Sequence, residues 1–171
     1  MLEPRFRTDA GARLMLTRLV SRLGIRLRSE GYLAGELHIS VRYTRGNAFT
    51  SGVDLPHVND TTALLGSLHE LWDRRAPSPS PPLNVGATVS GLVLVSQTPR
   101  SLFEHDHERE LLSGAMDIIN SRWGLPAIYF GSMHGCCHHM DDKIAFGRIP
   151  PGMKPPAATK APGEPERRGD R

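Results

Sequence analysis

The stretch ELHISVRYT, residues 36–44, decides the architecture. Leu37, Ile39, Val41 and Tyr43 fall on one side of an extended chain while His38, Ser40, Arg42 and Thr44 fall on the other, because side chains alternate across a strand. This is the pattern of a half-buried strand with one polar face. Upstream the period changes. Thr8 or Asp9 can cap a helix whose apolar positions Ala12, Leu16, Leu19, Val20, Leu23 and Leu27 form a single stripe, and Gly31 can end it. Downstream, Arg45, Gly46 and Asn47 supply turn chemistry, and residues 48–55 read as a second strand in which Gly52 marks a bulge.

Asn59 or Asp60 can cap a second helix with Leu64, Leu65, Leu68, Leu71 and Trp72 on one side, and the run APSPSPP over 76–82 must break it. Val85, Ala87 and Val89 then alternate into a third strand running through Gly91 towards Val95. The order helix, strand, strand, helix, strand predicts an α+β fold: an antiparallel sheet with two long helices on one face and the other face free. A third helix is expected over 106–122, burying Leu111, Leu112, Ala115, Ile118, Ile119 and Trp123, with Gly124 ending it and a short strand over 127–130. Beyond Pro150 the chain is rich in proline and charge with little to bury, and it is expected to be disordered.

The whole chain has 171 residues, 39% of them hydrophobic and 23% charged, enough for one core rather than two. The expected organisation is a domain over 2–96, an extension over 97–150 and a tail over 151–171. Net charge is only +3, but up to Arg45 nine arginines stand against four carboxylates, a local excess that suits a polyanion. Arg18, Arg22 and Arg26 recur at four-residue spacing, which the solvated outer face of a helix would also produce. The two cysteines, Cys136 and Cys137, are adjacent and poorly placed for an ordinary disulfide, so a reducing compartment is expected. The first ten residues lack the apolar core of a signal peptide, and no stretch approaches membrane-spanning length, so the expectation is a cytoplasmic protein with no membrane partner.

The succession RTDAGARLMLTRL, LHISVRY, NDTTALLGSLHELW and VGATVSGLVLV resembles the little finger, the C-terminal DNA-gripping domain of bacterial Y-family translesion polymerases of the ImpB/MucB/SamB type. MDIINSRWG and DKIAFGRIP are similar to the tail of many bacterial members, so the resemblance spans roughly 2–150. Such a domain opens with a strand just before the segment matching LEPRFRT, where this sequence has only Met1. The family's catalysis belongs to a palm whose carboxylates hold two magnesium ions. Asp141 and Asp142 are the only adjacent carboxylates here and have no upstream partner motif, so no catalytic residue, cofactor or metal is assigned.

By the resemblance, the sheet lies along a duplex, which gives Ser40, Arg42, Thr44 and Arg45 a phosphate-gripping role in DNA repair or translesion synthesis; damaged-DNA binding is implied in the same way. An exposed strand is also polar simply because water lies beside it. Gln97, Leu102 and Phe103, in QTPRSLF, resemble the peptide that docks bacterial polymerases on the sliding clamp; the alternative is that Leu102 and Phe103 pack on the third helix. A separately encoded palm is the other protein partner considered, and an inactive remnant the third reading. In MHGCCHHMDD, His134, Cys136, Cys137, His138 and His139 have zinc-type donors but no second ligand pair elsewhere, so the cluster reads as a loop, not a metal site.

Overall fold

The computed structural model describes residues 1–99, 104–123 and 127–134, with backbone only for 104–106. A single 3-10 turn, Pro4–Phe6, leads into helix α1, Asp9–Glu30. Thr8 caps α1: its Oγ1 accepts from the Gly11 N–H at 3.0 Å. Gly31 ends it in the left-handed region at φ 73°, donating its N–H to the Arg28 carbonyl. Gly11 has a second duty. A Cβ there would stand 2.6 Å from the Phe6 backbone, so only glycine lets the leading turn fold back against the helix.

Strand β1, Tyr32–Tyr43, begins four residues earlier than the alternation from Glu36 predicted, and β2, Ala48–Val58, runs three residues further than expected. The early part of β1 escaped the period-two reading because Tyr32, Leu33 and Ala34 are all buried. Helix α2, Thr61–Asp73, is capped by Asp60, whose Oδ1 accepts from the Ala63 N–H at 2.8 Å. Strand β3, Pro82–Ser90, completes the order β2-β1-β3, with every pairing antiparallel.

The long third strand expected through Gly91 is instead broken in two, with β4 confined to Val93–Leu94, which pairs with Leu33 and Tyr32 at the start of β1. The break lies where two backbones nearly touch. Gly91, at φ 62°, accepts from the Gly35 N–H at 3.1 Å, and a Cβ on Gly35 would meet the Gly91 oxygen at 2.9 Å. The irregularity in the β1–β2 pairing also falls there, between Ala34 and Glu36. Gly52, expected to mark a bulge, pairs regularly with His38.

Both α1 and α2 cover one face of the sheet. Leu16, Leu37, Leu64, Leu68 and Leu71 are wholly buried between these layers together with Val20 and Val41, and apolar burial of this kind is the main stabilising term of a domain. Arg75 locks one end of the sandwich. Its fork donates to Tyr43 Oη and to Asp9 Oδ2, both at 2.6 Å, and its guanidinium lies 4.3 Å from the centre of the Trp72 ring. Burial works against its charge, but the bonds to Asp9 and Tyr43 outweigh it and raise its pKa.

Helix α3, Glu104–Trp123, forms as expected but is turned the other way. Leu111, Leu112, Ile118 and Trp123 are 61%, 52%, 69% and 66% exposed, while Ser113 and Asn120 are buried. The polar side of the helix carries the docking contacts. Asp117 takes a bidentate pair from Arg28 of α1, at 2.6 and 2.9 Å, and the Ser113 hydroxyl accepts the Thr61 N–H at the start of α2. No strand forms over 127–130; the Asn120 side-chain amide accepts from the Ile128 N–H and donates to the Ile128 carbonyl, standing in for a strand partner. A single 3-10 turn, Gly131–Met133, follows. Arg18 corrects the solvated-row reading, since it is only 7% exposed. The tail expected beyond residue 150 lies outside the described residues.

Candidate nucleic-acid interface

The open face of the sheet is the one opposite α1 and α2, and the pairing registers specify what stands on it. In an antiparallel ladder, directly paired residues point the same way. Arg42 is flanked by Ala48 and Asn84, Ser40 by Thr50 and Gly86, His38 by Gly52 and Thr88, and Glu36 by Asp54 and Ser90. Four rows of small or polar groups therefore make a nearly flat surface. Gly86 and Gly52 keep it low: a Cβ on Gly86 would lie 2.9 Å from Ser40 Oγ, and one on Gly52 would run into the His38 ring.

The sequence reading found the central strand of this surface but not its flanks. Thr50, Asn84 and Thr88 complete it. The signal was available in the alternation of β3, where Asn84, Gly86, Thr88 and Ser90 interleave with the apolar residues. Only the register, however, tells which of them stands beside Arg42.

Charge is graded along this face. At the hairpin end, Arg42, Thr44 and Arg45 are exposed, and neither arginine side chain makes an ion pair or hydrogen bond among the described residues. The turn there is closed by Gly46 at φ 83°, whose N–H donates to the Tyr43 carbonyl, and Thr44 is anchored by its N–H to the Pro81 carbonyl at 3.1 Å. The N-terminal turn reaches the same end, because the Leu2 N–H donates to the Leu83 carbonyl at 2.8 Å.

Roughly 20 Å along the strand, at about 3.3 Å per residue, the face turns acidic with Glu36 beside Asp54. Glu36 Oε2 accepts from Ser90 Oγ at 2.7 Å and lies 3.1 Å from His38 Nε2. The Ser90 bond and then the His38 contact hold the Glu36 carboxyl below its ordinary pKa, so this end stays anionic. A polyanion laid on the sheet meets attraction at the hairpin and repulsion at the far end.

The other sequence candidates are distributed elsewhere. Gln97 is exposed at the end of a 3-10 turn, Val95–Gln97, that leaves β4, whereas Leu102 and Phe103 lie outside the described residues. Of the His/Cys cluster only His134 is described, with Nδ1 3.0 Å from Tyr129 Oη; Cys136, Cys137, His138 and His139 lie outside. Among the described residues, no three His, Cys, Asp or Glu side chains stand close enough to hold a metal ion, and no helix is long and apolar enough to cross a membrane.

The impB/mucB/samB family C-terminal domain is the family model that matches the chain, over residues 1–102. No curated protein matches, and no solved structure does.

Proposed function

The chain belongs to the impB/mucB/samB C-terminal domain family, the non-catalytic C-terminal part of Y-family polymerases, and from that premise we propose that its open sheet face grips the DNA backbone in repair or translesion synthesis. One observation carries the reading: a flat polar surface whose cationic end presents Arg42 and Arg45 with no competing carboxylate in the adjoining rows. Arg offers a charged fork to phosphate oxygens, while Ser40, Thr44 and the flanking Thr50 and Asn84 offer neutral bonds. Nothing in this set reads base edges in a defined pattern, so the grip is on backbone shape and charge, with little sequence preference. Damaged-DNA binding and a cytoplasmic setting come with the same proposal.

The test is a fluorescence-anisotropy titration against a primer-template duplex at two salt concentrations. Counterion release makes affinity fall steeply with salt, and loss of two phosphate contacts in Arg42→Ala/Arg45→Ala should flatten the salt dependence by about two units of slope. Glu36→Gln at the acidic end should tighten binding. Equal affinity of the wild type and the double arginine variant would remove the sheet face from consideration.

A second reading has narrower support. Gln97 stands exposed just beyond β4, and with Leu102 and Phe103 it would supply a docking peptide for a sliding clamp or a separate polymerase palm. Leu102→Ala/Phe103→Ala should then abolish retention on immobilised clamp while leaving DNA binding intact.

A further inference from the structure

The row of the sheet face that separates its cationic and acidic ends is headed by His38, opposite Gly52 on β2 and Thr88 on β3. The side chain is 46% exposed, and its two ring nitrogens have different surroundings. Nε2 lies 3.1 Å from Glu36 Oε2, the oxygen that also accepts from Ser90 Oγ at 2.7 Å. A carboxylate held anionic can only accept, so this contact places a hydrogen on Nε2. In the neutral ring, Nδ1 then carries only a lone pair. Nδ1 is the ring atom nearest to where a Cβ on Gly52 would stand, so the residue opposite puts no side chain over it. Among the described residues it has no hydrogen-bond partner.

We propose that His38 is a proton-coupled phosphate contact of this face: Nδ1 takes a proton from solvent and donates it in a hydrogen bond to a backbone phosphate oxygen, while Nε2 stays on Glu36. The inference rests on the reading of the face as a DNA grip, and it adds to that grip a contact that depends on pH. A neutral Nδ1 would turn its lone pair towards the phosphate, whereas an imidazolium donates from both nitrogens. Histidine is the side chain whose charge ordinarily changes between about pH 5 and 8. The charges around the ring favour its protonated form. On its own strand Glu36 touches it, and Arg42 stands four residues away, about 13 Å along β1. From β2, Asp54 stands in the adjoining row beside Glu36; from β3, Thr88 and Ser90 are neutral. Arg74, just past α2, lines the same open hollow but has Glu70 at 3.8 Å. Two carboxylates therefore stand closer to the imidazole than any cation without a carboxylate of its own. Because binding takes up a proton, affinity rises as pH falls through the histidine range, by at most about tenfold per pH unit for one proton.

Anisotropy titrations of the full chain against a primer-template duplex, at pH 6 and pH 8 and matched ionic strength, test it. The wild type should bind more tightly at pH 6, with a salt slope steeper by about 0.9 for the added phosphate contact. His38→Gln, which keeps a hydrogen-bonding side chain but cannot gain the charge, should bind at both pH values and lose most of that difference; the other histidines remain in the variant, so the comparison isolates position 38. Glu36→Gln removes both a repulsion and the partner of the imidazolium, and should therefore tighten binding more at pH 8 than at pH 6. In NMR titrations the midpoint of the His38 ring signals should move to higher pH when duplex is added. A His38→Gln variant with the wild-type pH dependence overturns the inference while leaving the grip intact, and so does a His38 midpoint that duplex does not move. Absence of binding at either pH overturns the grip itself, and the inference with it.

Discussion

Helices α1 and α3 differ little in length, 22 residues against 20, and each has an apolar stripe that can be traced from the sequence. They are used in opposite ways. The stripe of α1 is buried against the sheet, with Ala12, Leu16 and Val20 wholly enclosed. That of α3 faces outward, and the helix is held to the domain by the Arg28–Asp117 ion pair and the Ser113 hydroxyl bond on its other side. An amphipathic pattern says which residues will leave water together; it does not name the surface that receives them. For α1 the receiving surface is the sheet directly following in the chain. For α3 the sheet is already covered, and α1 and α2 meet it through polar groups, the Arg28 guanidinium and the Thr61 N–H at the head of α2, beside Ile25 of α1.

The contrast can be attacked at three strengths. Leu16→Ala removes a wholly buried side chain from the α1 stripe and should cost about 3 kcal/mol, as large-to-small core changes do; urea denaturation measures it, and a loss under about 1 kcal/mol would mean that the stripe is not the core. Asp117→Ala should cost about 2 kcal/mol, because Arg28 keeps its burial and loses its bidentate partner. The pair is not fully enclosed, its side chains being 13% and 26% exposed, so the cost stays below that of a deeply buried charge. Hydrogen exchange should show α3 amides losing protection in this variant while β1 amides keep theirs. Smallest of all, Ile118→Ala should change stability by no more than about 0.5 kcal/mol, as expected of an exposed site. A cost comparable to Leu16→Ala would show the apolar side of α3 to be packed within its own chain.

Local chemistry carried most of the fold. Thr8 and Asp60 cap the helices that were expected of them, Gly31 ends α1 at a positive φ, and the alternation in ELHISVRYT places Leu37, Ile39, Val41 and Tyr43 inward. Each is settled within a few residues by backbone bonding or by side-chain period, which a sequence displays directly. The interruption at Gly91 was not legible, because its cause is Gly35, more than fifty positions away. Arg18 misled the four-residue count for a similar reason, being buried by elements that the spacing does not show.

The candidate site divides along the same line. The sequence alone determined that Ser40, Arg42 and Thr44 share a polar side, since alternation is a property of one strand. Only the tertiary structure decided that Asn84 and Thr50 stand beside them, that Glu36 and Asp54 make the far end acidic, and that α3 turns its leucines outward. These depend on the register between strands and on which helix surface is still open when the last element docks. Both are set by contacts between residues far apart in the chain, and no local period encodes them.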